Sequence, residues 1–256
     1  MCLLLLAHRP RPDLTLVLAA NRDEFYDRPS APSAWWEDSP GILAGRDLRQ
    51  GGTWLGVSRR GRLAALTNIR EPSRHDPAAP SRGLLVKEFL RSPLDAGAFL
   101  RKLDGSPYNG FNLLAFDGEN LAVASNRAEG VRLLEPGLHG FSNGLLDSPR
   151  WPKVRRGMAA LGRLLEAADG NLEEGLLAVL ADGTPAPDGE LPRTGIGLEA
   201  ERALSPIFTR TEVYGTRAST VVILRADGGV SWVERAYGPS GRPGPEVRVC
   251  FRREVP

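Results

Sequence analysis

The second residue of the chain, Cys2, is the residue nearest the N-terminus whose side chain is intrinsically nucleophilic. An initiator methionine is generally removed when a small residue follows it, and removal of Met1 would give Cys2 a free α-amine beside its thiol. Such an amine has a pKa of about 7.7–8.0 and can accept the proton of a thiol whose pKa is about 8.5. Cys2 would then hold a nucleophile and its base in one residue. The alternative is a small buried residue of an edge strand, which cysteine often is.

A polar cluster, NRDE, follows the apolar run LTLVLAA, which ends at Ala20. The turn RPRPD joins this run to the preceding one, CLLLLAH, and predicts a hairpin. If the turn centres near Arg11, paired positions sum to about 22, give or take two, so Cys2 is expected opposite Ala20 or its immediate neighbours. The hairpin therefore predicts that the amide of Asn21 and the carboxylate of Asp23 lie beside the N-terminus.

Two interpretations of the NRDE cluster stay open. Charged groups at the end of a buried strand favour a functional site. In that case Asp23 would hold the N-terminal ammonium, and Asn21 and Arg22 would contact a substrate. Alternatively, Arg22, Asp23 and Glu24 form a structural group of ion pairs with no chemical role.

A second predicted hairpin offers neutral hydrogen-bond donors. Its turn, RRG, places Asn68 opposite Gly52 and Thr53, and the motif GGTW is expected to supply exposed backbone amides. Asn143, in HGFSNGLLDSP, occupies a similar position where a strand meets a loop. Acyl transfer needs such donors where negative charge develops, each worth about 2.7–4 kcal/mol of barrier. The alternative for each asparagine is that it caps backbone groups at a turn.

One arginine and three histidines complete the candidate residues. Arg217, in YGTRAST, is expected to bind a substrate carboxylate or to pair with an acid. His8, His75 and His139 share no spacing typical of metal ligands, so no metal site is predicted. His75 lies in a predicted loop, whereas His139 adjoins GFSN and could approach the same cleft as a substrate-binding residue.

Composition argues against several classes of protein. The formal charge is +2, and the chain is 41% hydrophobic and 25% charged, as in ordinary globular proteins. Its arginines are scattered among acids, so no nucleic-acid partner is predicted. The two cysteines cannot form a disulfide framework. The run CLLLLA is too short for a signal peptide, and no segment approaches the roughly 20 apolar residues of a membrane helix. These features predict a soluble, cytoplasmic protein.

The order of predicted elements favours an α+β fold. Apolar runs without alternation predict strands covered on both faces. Strands are predicted at 2–8, 14–21, 53–58, 62–68, 111–126, 219–236 and 246–251, and helices at 81–92, 95–103, 151–169 and 171–182. Such an order fits two stacked antiparallel sheets with helices outside better than a βαβ repeat. We expect one domain over 1–256, with a loop, and possible lid, at 182–197.

The motifs together resemble those of a known family. LAANRDEFYDRPS, GGTWLGVS, GRLAALTNIREP, YNGFNLL, GFSNGLLDSP, WPKV and YGTRAST occur in the order seen in the NRDE proteins, also called the transport and Golgi organisation protein two family. The resemblance covers essentially the whole chain. It implies relatedness to N-terminal-nucleophile hydrolases of the choloylglycine hydrolase and penicillin acylase type. Those enzymes cleave amides and have a four-layer αββα sandwich, two antiparallel sheets flanked by helices.

Carried over by motif, the resemblance assigns a role to each candidate. Cys2 matches the nucleophile, Asp23 the acid at the end of the second strand, Asn68 and Asn143 the amides near the oxyanion, and Arg217 the arginine of the late strand. One position departs from the pattern. The hydrolase superfamily has Arg-Asn-x-Asp, whereas here Ala20 stands first and the arginine is displaced to Arg22.

Two functions of different classes follow. The first is an amidohydrolase that needs no cofactor and acts on a small amphipathic amide or acyl compound. The second is a carrier, since the family has been associated with haem trafficking and with lipid or acyl-CoA metabolism. A carrier would use Cys2, His8 or His139 as the axial ligand of haem, with an apolar wall formed by Trp35, Trp36 and Trp54. Trp54 is also expected to contact the substrate of a hydrolase.

Overall fold

The computed structural model describes residues 2–167 and 171–254, with only the backbone at Cys2. In chain order the strands are β1 (Cys2–Arg11), β2 (Leu14–Phe25), β3 (Ser30–Trp36), β4 (Ser39–Asp47), β5 (Leu55–Ser58), β6 (Leu63–Asn68), β7 (Phe111–Phe116), β8 (Leu121–Ser125), β9 (Val131–Leu133), β10 (Gly137–Phe141), β11 (Tyr214–Arg225), β12 (Gly229–Tyr237) and β13 (Pro243–Arg252). The helices are α1 (Gly83–Arg91), α2 (Ala96–Lys102), α3 (Pro152–Glu166), α4 (Leu172–Leu180) and α5 (Leu198–Ala203).

The strands form two antiparallel sheets, as predicted. The first sheet has the order β10-β1-β2-β11-β12-β13, and the second runs from β3 to β9 in chain order. Residues of both sheets, among them Leu18, Leu114 and Trp232, form the apolar core between them. The α+β prediction is therefore confirmed.

Helices cover the outer face of each sheet. Leu5 and Val17 of the first sheet pack against α3 and α4. The second sheet packs in the same way under α1 and α2. Along β1, alternate residues belong to the core between the sheets and to the core under the helices. Strands buried on both faces explain the unbroken apolar runs of the sequence.

The register of the first hairpin lies at the limit of the predicted range. Arg11 pairs with Leu14, so the turn centres on the two residues between them rather than on Arg11 itself. An irregularity between His8 and Arg11 shifts the register by one residue, so Cys2 pairs with Arg22, two positions beyond Ala20. The register of the second hairpin, in which Leu55 pairs with Ala65, agrees with a turn centred near position 60.

Some elements were absent from the prediction. The hairpin β3–β4 was not predicted, nor was α5, because both sequences are rich in polar and small residues. Helix α3 ends at Glu166; the predicted end at Asp169 lies outside the described residues. The segment 182–197 is irregular apart from a 3-10 turn at Asp188–Glu190. No helix in the described part of the chain is long and apolar enough to cross a membrane.

Candidate active site

The NRDE cluster lies at the end of β2, directly beside the start of β1. The backbone of Cys2 pairs with Arg22, and the backbone of Leu3 pairs with Asn21. Strand pairing therefore places the backbone of the N-terminus beside the polar cluster, as predicted. The prediction for the side chain of Cys2 lies outside the described residues.

A β-bulge lies opposite this cluster on β11. Thr216 pairs with Asp23 and Ala218 pairs with Arg22, so Arg217 is the extra residue. Bulges locally increase the twist of a strand and are frequent beside active sites. Arg217 donates from Nη1 to the backbone carbonyls of the turn that follows β2, at residues 25, 26 and 28. Its guanidinium thus binds carbonyl groups, and Arg217 also lines a cavity of about 340 Å³. The role of Arg217 in binding a substrate carboxylate stays a prediction.

Asp23 is completely buried between β2 and the helix layer. Its Oδ1 accepts a hydrogen bond of 2.8 Å from the hydroxyl of Thr216, and its Oδ2 lies 3.7 Å from Nζ of Lys153. The hydroxyl of Tyr214 donates to the backbone carbonyl of Asp23. Burial raises the pKa of the Asp23 carboxyl, although Lys153 and the Thr216 hydrogen bond oppose the shift.

Arg22 and Glu24 have partners other than Asp23. The guanidinium of Arg22 lies 4.3 Å from the centroid of the Trp54 ring and 4.0 Å from Asp47. Glu24 lies 3.7 Å from Arg28. Arg22 and Glu24 are thus linked through Asp47 and Arg28. The interpretation of Arg22, Asp23 and Glu24 as a structural group of ion pairs stays a prediction.

Asn21 is buried on the helix side of β2. Its Nδ2 donates to the carbonyls of Leu180 and Ile207, both at 2.8 Å, and its Oδ1 accepts from the hydroxyl of Ser219. These bonds attach the end of α4 to the sheet. Substrate contact by Asn21 stays a prediction to which this arrangement adds no support.

Asn68 and Asn143 are brought together by hydrogen bonds. The Nδ2 of Asn143 donates to the backbone carbonyl of Asn68 at 3.0 Å, and the backbone amide of Arg70 donates to the carbonyl of Asn143 at 2.9 Å. Asn143 is buried and caps a backbone group, as the structural alternative predicts. Its second amide hydrogen is not used by this bond, so a further role as donor stays a prediction.

A cavity of about 420 Å³ opens where these elements meet. Four of the predicted site residues line it: Arg22, Asp23, Trp54 and Asn68. The remaining wall comes from the segment 75–83 and from charged residues of the β2–β3 and β4–β5 connections. Asn143, Arg217 and His139 are not among its described lining residues.

The cavity wall is rich in charges of both signs. Arginines at 22, 28, 49 and 82 face carboxylates at 23, 24, 47 and 76. Asp47 lies at the centre of this arrangement, because its carboxylate accepts from Nε of Arg28 at 2.7 Å. A wall with this balance suits a polar or zwitterionic group.

Two backbone amides of the GGTW motif are hydrogen bonded within the protein, so the supply of exposed donors stays a prediction for the other two. The amide of Gly51 donates to the carbonyl of Asp47, and that of Thr53 donates to the carbonyl of Gly83. A Cβ at Gly52 would lie 2.6 Å from the backbone carbon of Gly83. The motif therefore uses its glycine to let two backbone segments touch.

Sequence reasoning missed two buried charges close to the site. Lys153, on α3, is only 1% exposed, and Arg70 forms an ion pair of 2.6 Å with Glu201 of α5. Burial lowers the pKa of Arg70, while the nearby Glu201 opposes this shift. The motifs WPKV and NIREP contained both cations, but nothing in the sequence showed that either one is buried.

The two histidines proposed as axial ligands lie outside the cavity wall. His8 is 4% exposed, and its Nδ1 contacts the carbonyl of Leu134 at 3.1 Å. Burial lowers the pKa of His8. Both ring nitrogens of His139 are engaged, by Asp147 and by the carbonyl of Glu135. These residues do not present a haem ligand to the cavity. Among the described residues, no group of three or more potential metal ligands is found.

His139 predicts a pH dependence of stability. Its hydrogen bond to Asp147, 3.0 Å long, raises the pKa of the imidazole. The stabilisation is therefore present below the unfolded pKa of about 6.5 and lost as the pH rises through the folded value. We expect His139→Gln to cost about 1–2 kcal/mol more near pH 5.5 than near pH 8.5 in urea denaturation. His75→Gln, in an exposed loop, is the control; equal costs of His139→Gln at both pH values would contradict the assignment.

Gly45 holds Trp54 in place on the cavity wall. A Cβ at Gly45 would lie 2.6 Å from two atoms of the indole ring. We expect Gly45→Ala to displace the ring and to lower the free energy of unfolding by about 1–3 kcal/mol. Gly41 lies in the same strand with no atom within 4 Å of an added Cβ, so Gly41→Ala is the matched control. Equal losses in the free energy of unfolding for the two variants, measured by urea denaturation, would show that the contact of Gly45 with Trp54 does not determine stability.

Comparison with known sequences identifies relatives along nearly the whole chain. The sequence model of the family described as "Transport and Golgi organisation 2" matches residues 1–239. A mouse protein, "Transport and Golgi organization 2 homolog", is 37% identical over 258 residues, with 92% of this chain and 93% of that protein covered. The Drosophila melanogaster protein of that family is 30% identical over 252 residues, covering 86% of this chain and 85% of its own length.

Comparison with solved structures shows the fold. The C2A mutant of a conjugated bile acid hydrolase from Clostridium perfringens aligns with a TM-score of 0.55 at 9% identity, covering 100% of this chain and 94% of its own. A Caenorhabditis elegans N-acylethanolamine-hydrolyzing acid amidase ortholog aligns with a TM-score of 0.50 at 12% identity, covering 87% and 92%. The chain therefore belongs to the transport and Golgi organisation 2 family, and its two helix-flanked antiparallel sheets have the fold of the N-terminal-nucleophile hydrolases.

Proposed function

We propose that this protein hydrolyses the amide bond of a small amphipathic substrate, with Cys2 as the nucleophile. One observation carries the proposal. The backbone of Cys2 enters the sheet opposite Arg22, and Arg22 lines the 420 Å³ cavity together with Asp23 and Asn68. A nucleophile at this position would adjoin an acid, an amide and a space for a substrate.

The reaction would proceed in two stages. The thiol proton of Cys2 passes to its own α-amine, and the thiolate attacks the amide carbonyl. The C–S bond forms, the C–N bond breaks, and the α-ammonium returns the proton to the leaving amine. Water then attacks the thioester, which releases a carboxylic acid and restores the thiol. This scheme needs no cofactor.

Neighbouring residues would assist in different ways. The amide of Asn68 is the better placed oxyanion donor, since Asn68 lines the cavity while Asn143 holds its backbone in position. Asp23 would hold the N-terminal ammonium in place. Its position is fixed by Thr216 and Lys153, so the carboxylate is preorganised before a substrate binds.

The character of the cavity supports an amphipathic substrate. Its charged wall suits a polar group, and the indole of Trp54 offers an apolar surface beside it. One of the structurally similar proteins is named for the hydrolysis of an N-acylethanolamine, which is an acylated amine. We therefore extend the proposal to acylated polar amines.

The test is turnover of a panel of N-acyl amines, measured by release of the free amine. Cys2→Ala is expected to reduce turnover by about 10³-fold or more. Cys250→Ala is the matched control, because Cys250 is an exposed free cysteine on β13 and should be dispensable. Equal turnover by the Cys2→Ala variant would refute the proposal.

The haem or acyl-CoA carrier stays the alternative prediction. Titration with haemin would support the carrier if it produced a Soret band. This band should persist in Cys2→Ala and disappear in a variant of His8 or His139. Such a result without amide turnover would replace the hydrolase proposal.

A further inference from the structure

A second cavity, of about 340 Å³, lies beside the first. Its walls come from the start of β3, the bulged part of β11, the end of β12 and the start of β13. Arg22 and Trp54 line both cavities. The two spaces therefore share a wall that these two side chains form.

The two side chains of this shared wall are in contact with each other. The Arg22 guanidinium lies 4.3 Å from the centroid of the Trp54 ring, which is a cation–π contact. Arg22 is 5% exposed, and its nearest carboxylate across the first cavity is Asp47, at 4.0 Å. Because Trp54 packs tightly against Gly45, a ligand that occupies both cavities requires a change of rotamer at Arg22.

The second cavity differs from the first in its chemistry. Its surface is mainly apolar, with alanines and prolines at 31, 32, 236, 243 and 245, although Arg217 and Arg242 also line it. The first cavity is instead bordered by four arginines and four carboxylates. An apolar chain would lose its contact with water in the second cavity, whereas a polar group would stay hydrated and paired in the first.

The carboxylate in the second cavity, that of Glu234, already has its hydrogen bonds. It is 2% exposed, and its oxygens accept from the backbone amide of Ser33 at 2.8 Å and from the hydroxyl of Thr220 at 3.3 Å. Burial raises the pKa of Glu234. A carboxylate with both oxygens engaged does not require a charged partner from a ligand, so it is compatible with an apolar one.

We propose that the second cavity binds the apolar acyl chain of the substrate, so that the amide lies beside Arg22 and the polar amine occupies the first cavity. This inference rests on the proposed function and specifies its substrates as acylated polar amines of medium chain length. A volume of 340 Å³ is within the range of small-molecule sites and is sufficient for an acyl chain of medium length.

The test measures binding separately from turnover. N-acylglycines with chains of two, four, eight and twelve carbons are titrated by calorimetry into the Cys2→Ala protein, which cannot form the thioester. Affinity is expected to rise by up to about fourfold for each added methylene. The rise should stop between the eight- and twelve-carbon chains, when the chain extends beyond the cavity.

A cavity-filling variant tests the location. Ala236→Leu is expected to abolish the dependence on chain length while affinity for N-acetylglycine stays unchanged, which also shows that the variant is folded. Ala226→Leu, in the β11–β12 turn and outside both cavities, is the matched control and should retain the dependence.

The outcomes separate this inference from the proposed function. Chain-length dependence that Ala236→Leu removes, without turnover by the parent protein, supports the acyl subsite and refutes the hydrolase. Turnover without chain-length dependence, or dependence that Ala236→Leu leaves intact, overturns the subsite. Absence of binding by every N-acylglycine also overturns it.

Discussion

Replacement of Lys153 by methionine is expected to lower the free energy of unfolding by about 3–5 kcal/mol at neutral pH. Lys153 is 1% exposed and lies 3.7 Å from Asp23, which is 0% exposed. The variant removes a buried positive charge beside a buried carboxylate, and the remaining carboxylate then lacks its nearest cation. Urea denaturation at pH 7 measures the loss.

The raised pKa of Asp23 determines how the stability cost of Lys153→Met depends on pH. Because burial raises the pKa of that carboxyl above its ordinary 3.8, its contribution to stability is present below that value and lost as the pH rises through the folded pKa. Without Lys153 this loss becomes larger. We therefore expect Lys153→Met to cost less near pH 4 than near pH 7.

Two further variants control the interpretation. Lys87→Met removes a lysine that is 3.2 Å from Asp38 at the surface and should cost no more than about 1 kcal/mol. Adding Asp23→Asn to Lys153→Met should recover part of the stability, since the unpaired charge is then gone. If Lys153→Met lowered the free energy of unfolding as little as Lys87→Met does, the buried pair would not contribute to stability.

Replacement of Glu201 by leucine is expected to have an effect of similar size, about 3–5 kcal/mol, because it leaves Arg70 buried without its carboxylate. The two side chains are 5% and 6% exposed, and the ion pair is 2.6 Å long. Glu201 also accepts from the amide and the hydroxyl of Thr194. The change would therefore remove the contacts that Glu201 makes with two segments, the one that follows Asn68 and the end of the 182–197 loop.

The pair is tested by a double-mutant cycle in urea. Arg70→Leu with Glu201→Leu should cost much less than the sum of the single variants, since no unpaired charge remains. Glu190→Leu is the surface control, because Glu190 and its partner Arg155 are each 47% exposed. Additive costs for Arg70 and Glu201 would contradict a coupled buried pair.

The fold was predictable where local pattern determines structure. The unbroken apolar runs before His8 and before Asn21 predicted strands buried on both faces, and the structure confirms this. The RRG turn predicted the register of the second hairpin, in which Leu55 pairs with Ala65. Periodicity and turn residues act over short distances, so sequence alone was enough for these features.

The site was predictable only in part, for physical reasons. Arg22, Asp23, Trp54 and Asn68 do meet at one cavity. The partners of Asp23, in contrast, come from α3 and from β11, far away in the chain. Pairs of this kind depend on how the layers pack, and no local pattern encodes them.

The register of the first hairpin shows how small shifts change the position of a residue. A turn centred beyond Arg11, together with the irregularity between His8 and Arg11, places Cys2 opposite Arg22, at the limit of the predicted range. The bulge at Arg217 likewise had no signal in the sequence, and it determines which residues of β11 face Asp23. Small irregularities of this kind decide the geometry of a site at the end of a strand.

Intact-mass analysis of the protein after incubation with an N-acyl amine substrate tests the central claim most directly. The account predicts a chain that lacks Met1 and carries one trapped acyl group, located on Cys2 by peptide mapping and absent from Cys2→Ala. A retained Met1, or an acyl group that persists in Cys2→Ala, would contradict it.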